Sequence, residues 1–208
     1  TATFNNIAVG GVVTNFAPPS DKLWPAVQPA LTNDDVPYTF GVRFSTSVTG
    51  FVKGIRFLTS GDVSAVPGNY TGQLWTNAGT LLASGTFAGP ITPDSWQELL
   101  FTEPILISAA TPYVASYNIG TSNFYASTTG GLTAPFTNGS VTALAGGGLF
   151  IPGTPVAFPT TATNNNYWAD VIFAPNNYTF ELNSVTDAAF CINNPGTPLQ
   201  TLNVTSVD

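Results

Sequence analysis

The chain has 208 residues, of which only 7% are charged, with 4 Lys and Arg against 11 Asp and Glu and a formal charge of −7. Four cations do not make the basic patch that nucleic acid demands, and no run approaches the roughly 20 apolar residues of a membrane-spanning helix. The absence of His removes Ser-His-Asp and Cys-His catalysis, together with the commonest transition-metal ligand.

Hydrophobic residues make up 43% of the chain and aromatics 12%, with 20 Gly and 17 Pro, which describes a turn-rich globular domain. The chain opens on Thr1 and contains no Met, so it reads as a processed protein or a segment of a longer one. Its single Cys, Cys191, excludes an internal disulfide and is read as a buried thiol or as the partner of a cysteine elsewhere.

Short alternating runs bounded by Gly, Pro, Asn and Asp recur along the chain, with no sustained 3.6-residue period. An apolar opening strand is expected in "FNNIAVGGVVTNF" (4–16), followed by strands at 38–46, 50–60, 70–76 and 80–87. Asn77-Ala78-Gly79 joins the last two as a hairpin. Further strands are expected at 96–102, 113–119, 124–128 and 167–173. The Gly-, Pro- and Thr-rich stretch 130–166 reads as a surface excursion with one or two short strands, and a last pair is expected at 178–185 and 199–207. Strands this frequent without intervening helices predict an all-β fold, an antiparallel β-sandwich of jelly-roll or Ig-like type with flanking terminal strands. The domain is drawn over 1–175, with 176–208 as an extension that packs on the sandwich, on a neighbour, or leads to another module. Four N-x-[ST] sequons occur, at Asn69, Asn138, Asn177 and Asn203.

Four ordered motifs carry a resemblance: "FGVRFSTSVTGFVKGIRF", "YTGQLWTNAGTLLASGTF", "SWQELLFTEPILISAATPYVASYNI" and "NNNYWADVIF". Over about residues 15–174 they resemble the bacterial extracellular domain of unknown function DUF4082. The resemblance implies a non-catalytic β-sandwich in secreted or surface-exposed, often modular proteins, and it supplies no active site. The family usually has His where Tyr70 stands here and often has another where Asn118 stands. Its "GIRFYK" is "GIRFLT" in this chain, with Leu58 and Thr59.

Asp170 lies inside the aromatic, β-branched run "YWADVIF". On an extended strand it shares a face with Trp168 and Ile172, so it is expected at least half buried and in need of a cation. Pairing with Arg56 or Lys53, locking two strands in register, is the preferred reading. A sharper alternative is an isopeptide between Lys53 and Asp170, with Glu98 shuttling the proton.

Oxygen ligands are what this chain offers a metal, so calcium is the cofactor left open, at Asp34 and Asp35 with Asp21 or Asp62 nearby. A solvated acidic turn is the plainer reading of the same residues. A paired-carboxylate glycosidase would draw on Glu98, Asp170 and Glu103, but no spacing singles out a pair, and the chain is read as non-enzymatic. Aromatic rings stack on sugar faces. Trp24 on an apparent loop, with Tyr70, Tyr117, Phe124 and Tyr125 at strand ends, are the candidate ligand contacts, whereas Trp75, Trp96 and Trp168 read as core.

The expected function is a non-catalytic adhesion or glycan-binding module of a bacterial surface or secreted protein. Its partners would be a glycan or a neighbouring surface protein, without nucleic acid or membrane insertion. The alternative is a structural subunit that assembles into a fibre or sheath through its terminal strands.

Overall fold

The computed structural model describes residues 6–9, 12–15, 20–25, 31–32, 36–59, 70–120, 125–153 and 156–176. The calls on 178–185, 199–207, Asp34, Asp35, Asp62, Phe124, Cys191, Asn69, Asn177 and Asn203 lie outside these residues. Among the described residues every regular element is a strand.

In chain order the first strands are β1 (Asn6–Val9), β2 (Val12–Asn15), β3 (Leu31–Thr32), β4 (Tyr38–Thr46) and β5 (Gly50–Leu58). They are followed by β6 (Tyr70–Thr76), β7 (Leu81–Thr86), β8 (Trp96–Ile107), β9 (Tyr113–Ile119) and β10 (Tyr125–Ala126). The last are β11 (Phe136–Asn138), β12 (Val141–Pro152), β13 (Thr161–Thr163) and β14 (Ala169–Pro175). The chain divides into two compact units, and the larger, Ser20–Asn177, holds β3 to β14. In the smaller, β1 and β2 form an antiparallel ribbon. Within the stretch 4–16, expected as a single opening strand, the described residues 6–9 and 12–15 form two paired strands.

The larger unit is an antiparallel β-sandwich. One sheet runs β11-β12-β4-β9-β6-β7, with β13 on β12; the other runs β14-β5-β8. The small pair β10-β3 stands apart from both. Alternation explains how the sheets face each other. In β4, Phe40, Val42 and Phe44 are buried while Arg43 and Ser45 are partly exposed. In the opposite sheet Phe57 of β5 lies flat on Tyr117 of β9, with centroids 4.3 Å apart and rings 15° from parallel. It also stacks on Tyr70 at 5.6 Å. β9 is buried on both faces, since Val114 packs outward with Trp75, Leu149 and Phe158.

The long excursion expected over 130–166 is corrected. It contains the 12-residue strand β12, which pairs with β4, β11 and β13. Its glycines are a packing requirement. A Cβ on Gly148 would stand 1.8 Å from the Asn165 carbonyl oxygen, and Gly146 takes a positive φ where the ladder with β4 slips between Ala143 and Gly148.

Candidate functional site: a polar cleft beside a buried carboxylate

Residues 20–25 run along the outer edge of β14. Asp21 exchanges two backbone hydrogen bonds with Phe173, its N–H donating at 2.6 Å and its carbonyl accepting at 2.9 Å. The segment then passes over the Asp170 carboxylate. Asp170 Oδ1 accepts the backbone N–H of Leu23 at 2.8 Å and of Val171 at 2.6 Å. Oδ2 accepts the Trp24 N–H at 3.2 Å and Arg56 Nε at 2.8 Å, and Arg56 Nη2 lies 2.7 Å away. The Trp24 indole N–H donates to the Ala169 carbonyl, and Arg56 Nη2 donates to the Trp24 carbonyl. Asp170 is therefore a clip that fastens the 20–25 strap to the sheet.

This arrangement follows from strand register. Asp170 stands opposite Arg56, and Arg56 stands opposite Glu98 on β8. One row across three strands thus carries an acid, a base and an acid. Arg56 also covers the Trp96 ring, its Cζ 3.9 Å from the centroid. Asp170 has no exposed surface and Arg56 is 7% exposed. Burial pushes the Asp170 carboxyl above the ordinary carboxylate range, while the Arg56 charge and the Leu23 and Trp24 amides pull it back.

Asp170 takes Arg56 as its cation, and Lys53 stands elsewhere: its Nζ donates to Ser20 Oγ at 3.3 Å. Glu98 is held by Lys22 through an ion pair at the surface. The isopeptide geometry is therefore not formed, because both Asp170 oxygens are occupied by other donors and Glu98 is turned to Lys22. The Asp170 strand begins at Ala169, and Trp168 before it has φ +55°, which breaks the alternation expected from Tyr167 onward.

The aromatic platform is corrected as well. Tyr70 and Tyr117 are core residues, each 1% exposed, and the Tyr117 hydroxyl donates to the Tyr167 carbonyl at 3.0 Å. Burial raises the Tyr117 phenol well above its ordinary pKa. Tyr125 is half-buried with its ring 4.3 Å from Phe40. Trp24, placed on a loop from sequence, belongs to the strap and is buried against Phe136 and Trp168. Asn118, where the family often has His, is buried and donates to the Tyr38 carbonyl and Thr39 Oγ1.

Two cavities open at this strap. The larger, of about 300 Å³, is lined by Ser20, Asp21, Lys22, Trp24, Arg56, Asn138 and Gly139. Asp21 Oδ2 accepts the Ser140 N–H at 2.8 Å, and Asn138 Nδ2 donates to the Lys22 carbonyl at 2.8 Å, so the β11–β12 turn is tied to the strap. The smaller, of about 180 Å³, is lined by Trp24, Pro25, Thr128, Gly131, Phe136, Asn166 and Trp168. Trp24 lines both cavities and stacks on Phe136, with centroids 4.9 Å apart.

Carboxylate, amide, hydroxyl, ammonium and guanidinium groups meet in the larger cavity beside an indole, a set suited to a polyhydroxylated ligand. For a cation the set is thinner: among the described residues no three His, Cys, Asp or Glu side chains gather. Of the residues expected to bind, the structure brings Trp24 to these cavities. Sequence reading missed Ser20, Lys22, Phe136, Asn138, Asn166 and Trp168 as lining residues. The available signal was "SDKLW", two adjacent charges before a Trp in a chain almost without charge.

No curated protein matches the chain. The profile of the domain of unknown function DUF4082 matches residues 25–169, well over half of the sequence, with Ser20–Trp24 and Asp170 just beyond its two ends. The chain belongs to the DUF4082 family.

Proposed function

We propose that the protein is a non-catalytic glycan-binding or adhesion module that works on the cell exterior. The observation that carries this reading is the cleft of about 300 Å³ where Asp21, Ser20, Lys22, Arg56 and Asn138 converge beside Trp24. Each sugar hydroxyl is both donor and acceptor, so a site for it mixes carboxylate acceptors with amide and cationic donors, and an aromatic edge covers the C–H surface. The size is at the lower end for ligand cavities. Asp170, the buried acid beside this cleft, is fully committed to Arg56 and the strap, so it serves structure and not proton transfer.

A glycan array followed by calorimetry on the strongest hit tests the reading. Binding that weakens at least tenfold in Asn138→Ala, with the fold intact by circular dichroism, supports it. Absence of binding to every glycan class, or binding indifferent to Asn138 and Asp21, refutes it.

A second reading, a subunit of a fibre or sheath, is favoured by β8. Among the described strands β8 pairs only with β5, and it carries Leu100 and Leu106 at 63% and 58% exposure. A long edge with apolar side chains invites strand addition. Light scattering after gel filtration separates the two readings: polymers favour assembly, whereas a 21.7 kDa monomer leaves binding as the function.

A further inference from the structure

We infer that the two cavities are consecutive subsites of one groove, so that the bound glycan is a chain of at least two sugar units. This rests on the glycan-binding reading and adds its length requirement. Trp24 is the shared wall: it lines both cavities, stacks on Phe136 and stands 5.7 Å from Trp168.

Each cavity is lined by a residue with a donor atom that makes no hydrogen bond among the described residues. In the larger one, Arg56 spends Nε and Nη2 on Asp170 and the Trp24 carbonyl, and its Nη1 makes no hydrogen bond among the described residues. In the smaller one, Asn166 is 3% exposed, and its Oδ1 accepts the Trp168 N–H at 2.8 Å. Its Nδ2 makes no hydrogen bond among the described residues. Both atoms are open to solvent, where a ligand hydroxyl can take the place of water as acceptor.

The second cavity also stores strain. Trp168 adopts φ +55°, a left-handed conformation that a bulky residue avoids. Its indole N–H donates to Thr128 Oγ1 at 3.0 Å, so the ring is fixed at both ends as a wall of the cavity. Phe136, at 37% exposure, is the one aromatic among the large exposed apolar side chains described. An exposed ring stacked on the partition between two cavities is placed to meet a ligand passing from one to the other.

The polarity of the two subsites differs. The first offers Asp21, Lys22, Arg56 and Asn138 and takes the hydroxyl-rich unit. The second offers Trp24, Phe136 and Trp168 and takes a unit through its apolar face.

The test is calorimetric titration of the full chain with matched mono-, di- and trisaccharides of β-1,4-linked glucose, N-acetylglucosamine and mannose. The indole N–H resonance of Trp168 is followed by NMR in parallel. In at least one series the disaccharide is expected to bind at least tenfold more tightly than the monosaccharide, and only the disaccharide should move the Trp168 signal. Phe136→Ala should weaken the disaccharide at least tenfold more than the monosaccharide. Equal affinity for mono- and disaccharide in every series that binds, or equal weakening of both by Phe136→Ala, overturns the two-subsite inference and spares the glycan reading. If no saccharide of any series or of the array binds, both fall together.

Discussion

Replacing Arg56 by Met removes the cation but keeps an unbranched side chain over Trp96. The Asp170 carboxylate, with no exposed surface, then keeps only the three backbone N–H donors of Leu23, Trp24 and Val171. Breaking a buried pair by removing one partner costs about 3–5 kcal/mol, because the remaining charge is left uncompensated. The lost bond from Nη2 to the Trp24 carbonyl adds about 1 kcal/mol, and the lost guanidinium–indole contact about 1 kcal/mol more. The expected loss is therefore about 5–7 kcal/mol, a large share of a domain stability of about 5–15 kcal/mol. Removing both charges in Arg56→Met/Asp170→Leu should cost less than the sum of the single changes by at least about 2 kcal/mol, since apolar replacement of a buried pair is well tolerated. Urea unfolding followed by tryptophan fluorescence reads this directly. Amide exchange at Leu23 and Trp24 should accelerate in the single variant, because the strap has lost its clip. A loss below about 1 kcal/mol in Arg56→Met, or strict additivity in the double variant, refutes the account of Asp170 as a buried, cation-dependent clip.

Gly148→Ala should destabilise the fold by about 1–3 kcal/mol or more, since its Cβ would stand 1.8 Å from backbone oxygen of Asn165; an unchanged melting temperature contradicts this. The raised Asp170 pKa makes the folded state hold that proton more firmly than the unfolded chain, whose carboxyl titrates near about 3.9. Its contribution is thus fully present below that value and lost as pH rises through the folded pKa. Stability of the wild type relative to Asp170→Asn should rise between pH 7 and pH 4; a falling difference in chemical denaturation reverses the sign of the shift. Leu106→Asp on the β8 edge should abolish any concentration-dependent self-association seen by light scattering, with the fold intact by circular dichroism. Persistence of assembly in that variant removes β8 as the contact.

Strands β4, β6 and β9 follow the boundaries expected from the sequence, because each is a β-branched and aromatic run closed off by local turn chemistry, even where, as in β9, both faces are buried. The hairpin at Gly79 is equally local: φ +88° at that residue is what the turn demands. β12 was illegible for the opposite reason. Its glycines serve a bulge and a close approach to Asn165, neither of which shows as a hydrophobic period.

By itself the sequence determined the fold class, the exclusion of His-based chemistry and the need of Asp170 for a cation. Only the tertiary structure decided which cation, and it chose Arg56, because antiparallel register places residues 114 positions apart side by side. It likewise decided that Tyr70 and Tyr117 fill the core and that Trp24 divides two cavities. Alternation along a strand tells which residues share a face. Whether that face meets water, another sheet or a strap is a property of chain segments far away, and no local pattern encodes it.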